Sequence, residues 1–591
     1  MSSHLPLPAE SAARSPDAPG VEASPGVRLR LWPALLLCAV QWILITVPRW
    51  LIPGTLIHFY LMFSPAVVAV FLALWWGIWS QAPKRDRWLT LGIAGLGGVG
   101  AALFSDRSAP LVLFLVGLPT LTTAWTVWLA GSTRLKWSVR RLGLFATILL
   151  ACGYFTLIRV DGTDGNISAE TSWRWAPTKE ERLLRESPLV GSKAPGGELV
   201  VTLRPGDWPG FRGASRDSRV AGVQVADDWT QAPPPLVWKT PIGPGWGSFA
   251  VVGGRLFTQE QRGEEEVVAC YRAMDGELLW AHQDRARFWE VIAGTGPRAT
   301  PTFHDGLVYA VGANGNFNCL DAASGECVWS TQLNDAAQVK VPEWGYSCSP
   351  LVVGEVVVVL PGRPDGGAVQ GYDRRSGERL WSRGAGTHSY SSPQLVRFEG
   401  IPQVLALTDA GLSSLLPQTG EILWTYSWPT GGMHRVIQPG VFEDSVVVPT
   451  YFGIGSRRVR ISRKEHQWNT ELIWETKDLK PYYNDFVELK GSAYGFDANI
   501  FCCIDLATGK RRWKGGRYGY GQVLLLQDQE RLLVLSESGE AVVHKADPER
   551  HVELGRFQAL EGKTWNHPVI VGNRLYLRNA EMMACYDLAP Q

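Results

Sequence analysis

From residue 238 onward the chain returns, every 39 to 52 residues, to an aromatic residue that closes a short hairpin. The series runs Trp238, Trp280, Trp329, Trp381, Trp424, Trp474 and Trp513, with Phe557 continuing the phase. A repeat of this length corresponds to one small sheet per unit. Such a unit cannot bury both of its own faces and has to stack on its neighbours, which restricts the fold to a propeller or a solenoid.

The repeat carries internal chemistry. Gly276, Gly325, Gly377, Gly420 and Gly509 each lie four residues before their tryptophan, and Asp321, Asp373 and Asp505 lie eight before it. Glycine there suits a turn that requires positive φ, and a short acid suits turn entry by accepting from nearby amides. The indole is wide, flat and able to donate one hydrogen bond, so it is expected to dock each sheet on the next.

CLDAASGECVW (Cys319–Trp329), GYDRRSGERLW (Gly371–Trp381) and CIDLATGKRRW (Cys503–Trp513) resemble the docking motif of the PQQ-like β-propeller repeat, roughly A-x-D-x-x-T-G-x-x-x-W. The resemblance extends over about residues 207–588 and includes the opening DWPGFRG (Asp207–Gly213). It implies an all-β propeller of four-stranded antiparallel blades. Two groups share that repeat, the quinoprotein dehydrogenases that use pyrroloquinoline quinone (PQQ) and the non-enzymatic BamB-like propellers, so the motif does not choose a cofactor.

Seven units end at Trp280, Trp329, Trp381, Trp424, Trp474, Trp513 and Phe557, and three further strands follow in residues 566–588. The strand missing from that last group is available upstream as PLVWKT (Pro235–Thr240). Pairing the two would close a ring of eight blades and remove exposed sheet edges. The turns of the fifth and seventh units are degenerate, which leaves seven blades as the alternative.

Ahead of the propeller the composition changes. Residues 1–30 are rich in Ser, Pro and Ala and read as a disordered tail. Residues 31–158 contain five apolar runs, Leu31–Val47, Leu56–Trp79, Trp88–Phe104, Pro110–Ala130 and Leu142–Ile158, expected as a five-helix transmembrane domain. Basic residues concentrate on one side of these runs (Arg28, Arg30, Lys84, Arg85, Arg87, Arg134, Lys136, Arg140 and Arg141). The positive-inside rule then places the N-terminus in the cytoplasm and the propeller in the periplasm of a bacterial inner membrane. His58 is the one histidine or acid expected within a span. LLACG (Leu149–Gly153) resembles a lipidation signal but follows four expected spans, so it reads as helix interior. Residues 159–206 read as a polar linker with a short helix over Thr178–Glu186.

A net charge of +1 offers no field for nucleic acid. Cys270, Cys319, Cys503 and Cys585 recur at one repeat position that also holds Gly371 and Ser414, which marks a small buried strand site. Adjacent Cys502 and Cys503 resemble the vicinal disulfide of some PQQ alcohol dehydrogenases, yet sit in a strand rather than a loop; Cys319 and Cys327 flank one hairpin and are placed to pair. No metal-binding spacing occurs and no metal ligand is assigned.

The segment leading into each innermost strand faces a propeller's axis. Here it supplies Trp246, Arg298, Trp344, Tyr346, His388, Tyr390, His434, Arg435, Tyr482, Tyr483, Asn484, Tyr518, Tyr520, Trp565 and His567. This set is expected either to line a small-molecule or peptide pocket or to plug the channel. The expected role is a membrane-anchored, non-catalytic binding or scaffolding propeller with envelope proteins as partners, and no catalytic residue is assigned. The alternative is a membrane-bound PQQ dehydrogenase, which the arrangement of five spans before a propeller resembles. That enzyme needs cations for the PQQ carboxylates, Ca²⁺ with carboxylate and amide ligands, and a base; Arg298, Arg435, Asn484, Asp485 and His388 supply fragments.

Overall fold

A computed structural model describes residues 29–51, 56–165, 168–186, 200–334, 339–363, 365–432, 434–451 and 453–590. The propeller has eight blades. Blades 1 to 7 run consecutively over residues 250–285, 302–332, 351–383, 394–427, 440–476, 487–517 and 522–558. Blade 8 comprises three strands from Val569–Asp587 and, as its fourth, Leu236–Pro241, which pairs antiparallel with Met582–Asp587. The ring is therefore closed by joining the two ends of the repeat region, and the seven-blade alternative is excluded.

The tryptophans dock blades as their periodicity requires. Each sits opposite the third strand, immediately beside a bulge, as in Cys270↔Trp280 and Cys319↔Trp329. Its indole donates to a carbonyl in the following blade's turn: Trp238 to Ala273, Trp280 to Ala322, Trp329 to Arg374, Trp381 to Pro417, Trp474 to Leu506 and Trp513 to Asp547, all at 2.8–3.2 Å. The turn glycine of the receiving blade lies flat on that ring. Gly325 has φ +76°, and a Cβ there would stand 2.6 Å from Trp280. Any side chain would force the blades apart.

The two degenerate units are exceptions with separate causes. Blade 5 replaces the glycine turn with a two-residue hairpin, Glu465 and His466 both at positive φ, between strands of ten residues. With no turn carbonyl to meet, Trp424 donates instead to Gln403 Oε1 within its own blade. In blade 7 the bulge falls between Val543 and His544 and the register pairs Val543 with Gly555. The docking position is thus Gly555, two residues before Phe557, which corrects the assignment of Phe557 as the stand-in. A Cβ on Gly555 would meet the Trp229 backbone nitrogen at 2.5 Å. Trp229, from upstream of the propeller, is almost fully buried and packs on Phe557 at 5.4 Å.

The segment around DWPGFRG threads the axis. Arg219–Val220 adds a parallel strand to the inner edge of blade 7. Arg216 donates to the carbonyls of Ser349, Pro350 and Pro393 in blades 3 and 4, and Arg212 to the Phe486 carbonyl before blade 6. Arg212, Arg216 and Ser218 all adopt left-handed φ of 54–61°, a conformation held by these contacts at a cost of order 1–3 kcal/mol each.

Before the propeller lies an apolar helical region. Three helices, Lys84–Phe104, Pro110–Gly131 and Trp137–Leu157, are long and apolar enough to cross a membrane; Trp32–Pro48 and Ser64–Trp79 are shorter apolar helices. The expected single run Leu56–Trp79 is broken between Leu61 and Ser64. Two helices also begin earlier than expected, at Lys84 and Trp137, so basic residues lie in their first turns. Gly97 packs where a Cβ would be 3.1 Å from Cys152 Sγ, a close helix approach that a small residue permits. The side chain of His58 and residues 1–28 lie outside the described residues.

The stretch expected as linker contains structure beyond its short helix, Lys179–Glu186. Ile158–Thr163 and Ala169–Trp173 form an antiparallel hairpin that continues directly from the last apolar helix. All nine cysteines are free thiols, Cys319 and Cys327 included, so neither pairing considered above forms. Burial pushes the Cys503 thiol up to about 12.

Candidate functional site

The inner ends of the blades enclose an axial cavity of about 150 Å³, the size that admits one benzene-like ring in an engineered core. Of the expected set, Trp246, Arg298, Trp344, Tyr390, Tyr482, Tyr483, Trp565 and His567 line it. Their rings form a continuous wall, with centroids 4.9 Å apart for Trp246–Trp565, 4.6 Å for Tyr483–Trp565 and 5.2 Å for Trp344–Tyr390.

The others stand behind this wall. Tyr520 packs on Tyr483 and shares a 2.8 Å hydrogen bond with the Tyr451 hydroxyl. His434 stacks edge-on against Trp344 and its Nδ1 lies 3.4 Å from His388 Nε2. Burial, with His388 nearby, depresses the His434 pKa to about 4, so it is neutral at physiological pH. Arg435 is buried over Trp428 and donates to its carbonyl. Asn484 accepts from the Tyr482 amide and holds the loop. Tyr346 is buried in the blade 2–3 core. Tyr518 faces the opposite way, toward His544, His551 and Glu553.

Two segments from outside the blades approach the cavity. Phe211 forms part of the floor, and its ring meets His567 edge-on at 5.2 Å. On the other side the hairpin reaches over the axis: Thr163 N donates to the Ile292 carbonyl (2.9 Å) and Gly165 N to Glu537 Oε1 (2.6 Å). Lys563 donates to the Thr163 carbonyl and lies between Trp246 and Trp565, 4.8 and 4.6 Å from their centroids. Its burial lowers its pKa to about 8.

The ionic groups are committed to one another. Arg298 binds Glu290 (3.0 Å) and the carbonyls of Gly294, Gly296 and Trp344. Glu290 also accepts from Ile292 and Ala293. Asp485 pairs with His567 (2.8 Å) and Arg212 (3.4 Å). Burial alone would raise its pKa, but those two partners hold it below the usual carboxylate range. Three buried polar atoms of lining residues have no partner: Trp246 Nε1, Tyr483 Oη and Asp485 Oδ1.

This donor set does not fit PQQ with Ca²⁺. A tricarboxylate needs uncommitted cations, yet Arg298, Arg212 and Lys563 are each held elsewhere. A Ca²⁺ site needs several oxygens, and the lining supplies only two carboxylates, Glu290 and Asp485, while Asn484 does not line the cavity. The orphaned atoms suit a small, largely apolar group bearing one or two polar atoms.

Sequence reasoning missed Phe211, Glu290 and a ring of hydroxyls. Ser248 N donates to Thr300 Oγ1, Thr300 N to Ser349 Oγ and Ser349 N to Ser392 Oγ, linking blades 1 to 4 at 2.8–3.0 Å. A signal was present: Thr300–Pro301, Ser349–Pro350 and Ser392–Pro393 are each a hydroxyl followed by proline at the inner-strand entry.

A family profile described as "Outer membrane protein assembly factor BamB" matches residues 264–515. The assembly factor BamB of Burkholderia pseudomallei is 24% identical over 339 residues, which is 49% of this chain and 85% of that protein. BamB of Shewanella oneidensis is 20% identical over 378 residues, 58% of this chain and 86% of its own length. Among solved structures, BamB from Moraxella catarrhalis aligns with TM-score 0.44 at 16% identity, over 60% of this chain and 99% of that one. A europium-containing methanol dehydrogenase aligns with TM-score 0.49 at 12% identity, over 63% and 89%. The propeller is thus similar in sequence to BamB-like PQQ-repeat propellers.

Proposed function

We propose that this chain is a membrane-anchored, non-catalytic binding propeller of a bacterial cell envelope. In this reading five apolar helical segments span the inner membrane with the N-terminus cytoplasmic. The propeller then stands in the periplasm and holds envelope proteins, as the names of its relatives suggest. The observation that carries the proposal is the ion pairing beside the axial cavity, Arg298 with Glu290 and Asp485 with His567 and Arg212. Quinoprotein chemistry needs free cations, an open mouth and a base positioned at the reacting carbon. The compact units, 39 to 52 residues each, leave little loop to cover a cofactor.

The test uses purified full-length protein in detergent. PQQ and Ca²⁺ are added, cofactor absorbance is followed, and dye reduction is assayed with glucose and simple alcohols. The proposal expects neither stoichiometric uptake nor turnover; saturable one-to-one PQQ binding with dye reduction overturns it. In parallel, photo-crosslinking from the exposed Met274 position, in the turn between the outer two strands of blade 1, should trap defined envelope proteins in cells.

A further inference from the structure

Blade 7 lacks both the glycine turn and the docking indole. Its hairpin instead carries two imidazoles and a carboxylate at one point. His544 lies in the third strand, His551 in the turn, and Glu553 opens the fourth strand, opposite His544 at the bulge. Tyr518, from the connection between blades 6 and 7, places its hydroxyl among them. Tyr518 Oη is 2.8 Å from His544 Nε2, 3.1 Å from His551 Nε2 and 2.7 Å from Glu553 Oε2. One ligand atom from each of His544, His551 and Glu553 falls within 4.8 Å of the other two.

We propose that His544, His551 and Glu553 bind a Zn²⁺-class divalent metal ion, with the Tyr518 phenol oxygen at the fourth position. Two histidines and one carboxylate around an available fourth place make a standard zinc donor set. Zinc–ligand bonds of about 2.0–2.1 Å put tetrahedral ligand atoms roughly 3.4 Å apart; the Tyr518 contacts of 2.7–3.1 Å would open by about 0.3–0.7 Å, and the ligand atoms of His544, His551 and Glu553, now within 4.8 Å of one another, would draw in around the ion. The supporting shell is in place. Arg556 grips Glu553 through both carboxylate oxygens at 2.6 Å and is itself paired with Glu540 at 3.3 Å. Partners of this kind orient first-sphere ligands.

Charge balance favours the ion as well. Glu553 and Glu540 offset Arg556 and leave one net negative charge. His551 is half-buried and Glu553 partly exposed, which gives the ion a way in. Bound metal would tie the blade 6–7 connection to the hairpin of the blade whose docking residue is glycine.

The test uses full-length protein without a polyhistidine tag, stripped by chelator and titrated with Zn²⁺ against a competing indicator. One equivalent should bind, with a rise in unfolding temperature. His551→Ala and Glu553→Gln should each weaken binding at least ~100-fold, the upper end of what losing even an outer-sphere partner costs, and should abolish the thermal rise. Co²⁺ in place of Zn²⁺ should give the intense visible bands of four-coordination, altered in Tyr518→Phe. Those wild-type readings stand if a variant fails to fold. Absence of stoichiometric binding, or equal binding by wild type and folded His551→Ala, would reduce the cluster to a hydrogen-bonded staple and overturn the proposal.

Discussion

Replacing Trp280 by alanine removes one indole wedge and tests the docking argument quantitatively. Trp280 is 1% exposed, and its Nε1 donates to the Ala322 carbonyl at 3.2 Å. An indole buries roughly 150–250 Å², which at about 25 cal/mol/Å² is worth ~4–6 kcal/mol. Losing the bond leaves the Ala322 carbonyl short of about 1 kcal/mol, and partial collapse of the cavity returns some of this total. Tryptophan-to-alanine changes in cores accordingly cost ~3–5 kcal/mol, so we expect about 4 kcal/mol. Phenylalanine keeps most of the apolar area and should cost ~1–2 kcal/mol. The effect should concentrate at the blade 1–2 boundary, where the turn around Gly325 loses its seat. Hydrogen exchange of amides in residues 318–329 reads this local opening. About 4 kcal/mol corresponds to roughly a thousandfold faster exchange. If Trp280→Ala exchanges no faster there than Trp280→Phe, the indole is a passive filler and the docking account fails.

Further expectations concern buried groups. Burial pushes Glu266 up to about 7 from an ordinary 4.5. The folded state therefore holds a proton that the unfolded chain releases, and stability should fall by up to ~3 kcal/mol as pH rises from about 4.5 to 7. Glu266→Gln should flatten that decline in urea midpoints taken across the range; an unchanged profile would remove Glu266 as its source. Arg216→Met strands the carbonyls of Ser349, Pro350 and Pro393 and should cost at least ~1–3 kcal/mol, seen as a lower denaturation midpoint; a loss under 1 kcal/mol would mean the axial plug is optional. Trp229→Ala should destabilise blade 7 by ~3–5 kcal/mol, with faster exchange in residues 553–558. Protection there equal to wild type would refute its role in packing the outer strand of blade 7.

The propeller was legible because its defining contact is local and repeated. An aspartate, a glycine and a tryptophan at fixed spacing make one turn and one wedge, and ring closure follows from counting strands. Gly555 was mistaken for Phe557 because a bulge shifts register by an amount only the pairing reveals. The axial set was half legible: entry into the inner strand marks proximity to the axis, but not whether a side chain points inward, as Trp344 does, or back between blades, as Arg435 does. The hairpin after Leu157 escaped notice because its partners, Ile292, Glu537 and Lys563, come from distant blades. The His544–His551–Glu553 cluster was invisible for the same reason, since Tyr518 approaches from another sheet and the ligand spacing matches no linear motif.

The roof hairpin starts at Ile158, the residue after the last apolar helix ends, and Val160 N is bonded to Ser108 Oγ between two other helices. The same hairpin grips the wheel through Ile292, Glu537 and Lys563, so the helical bundle holds the wheel by its hub. Whatever docks on it has the rim and the far side to choose from, while the near side is spoken for by the chain's own stalk.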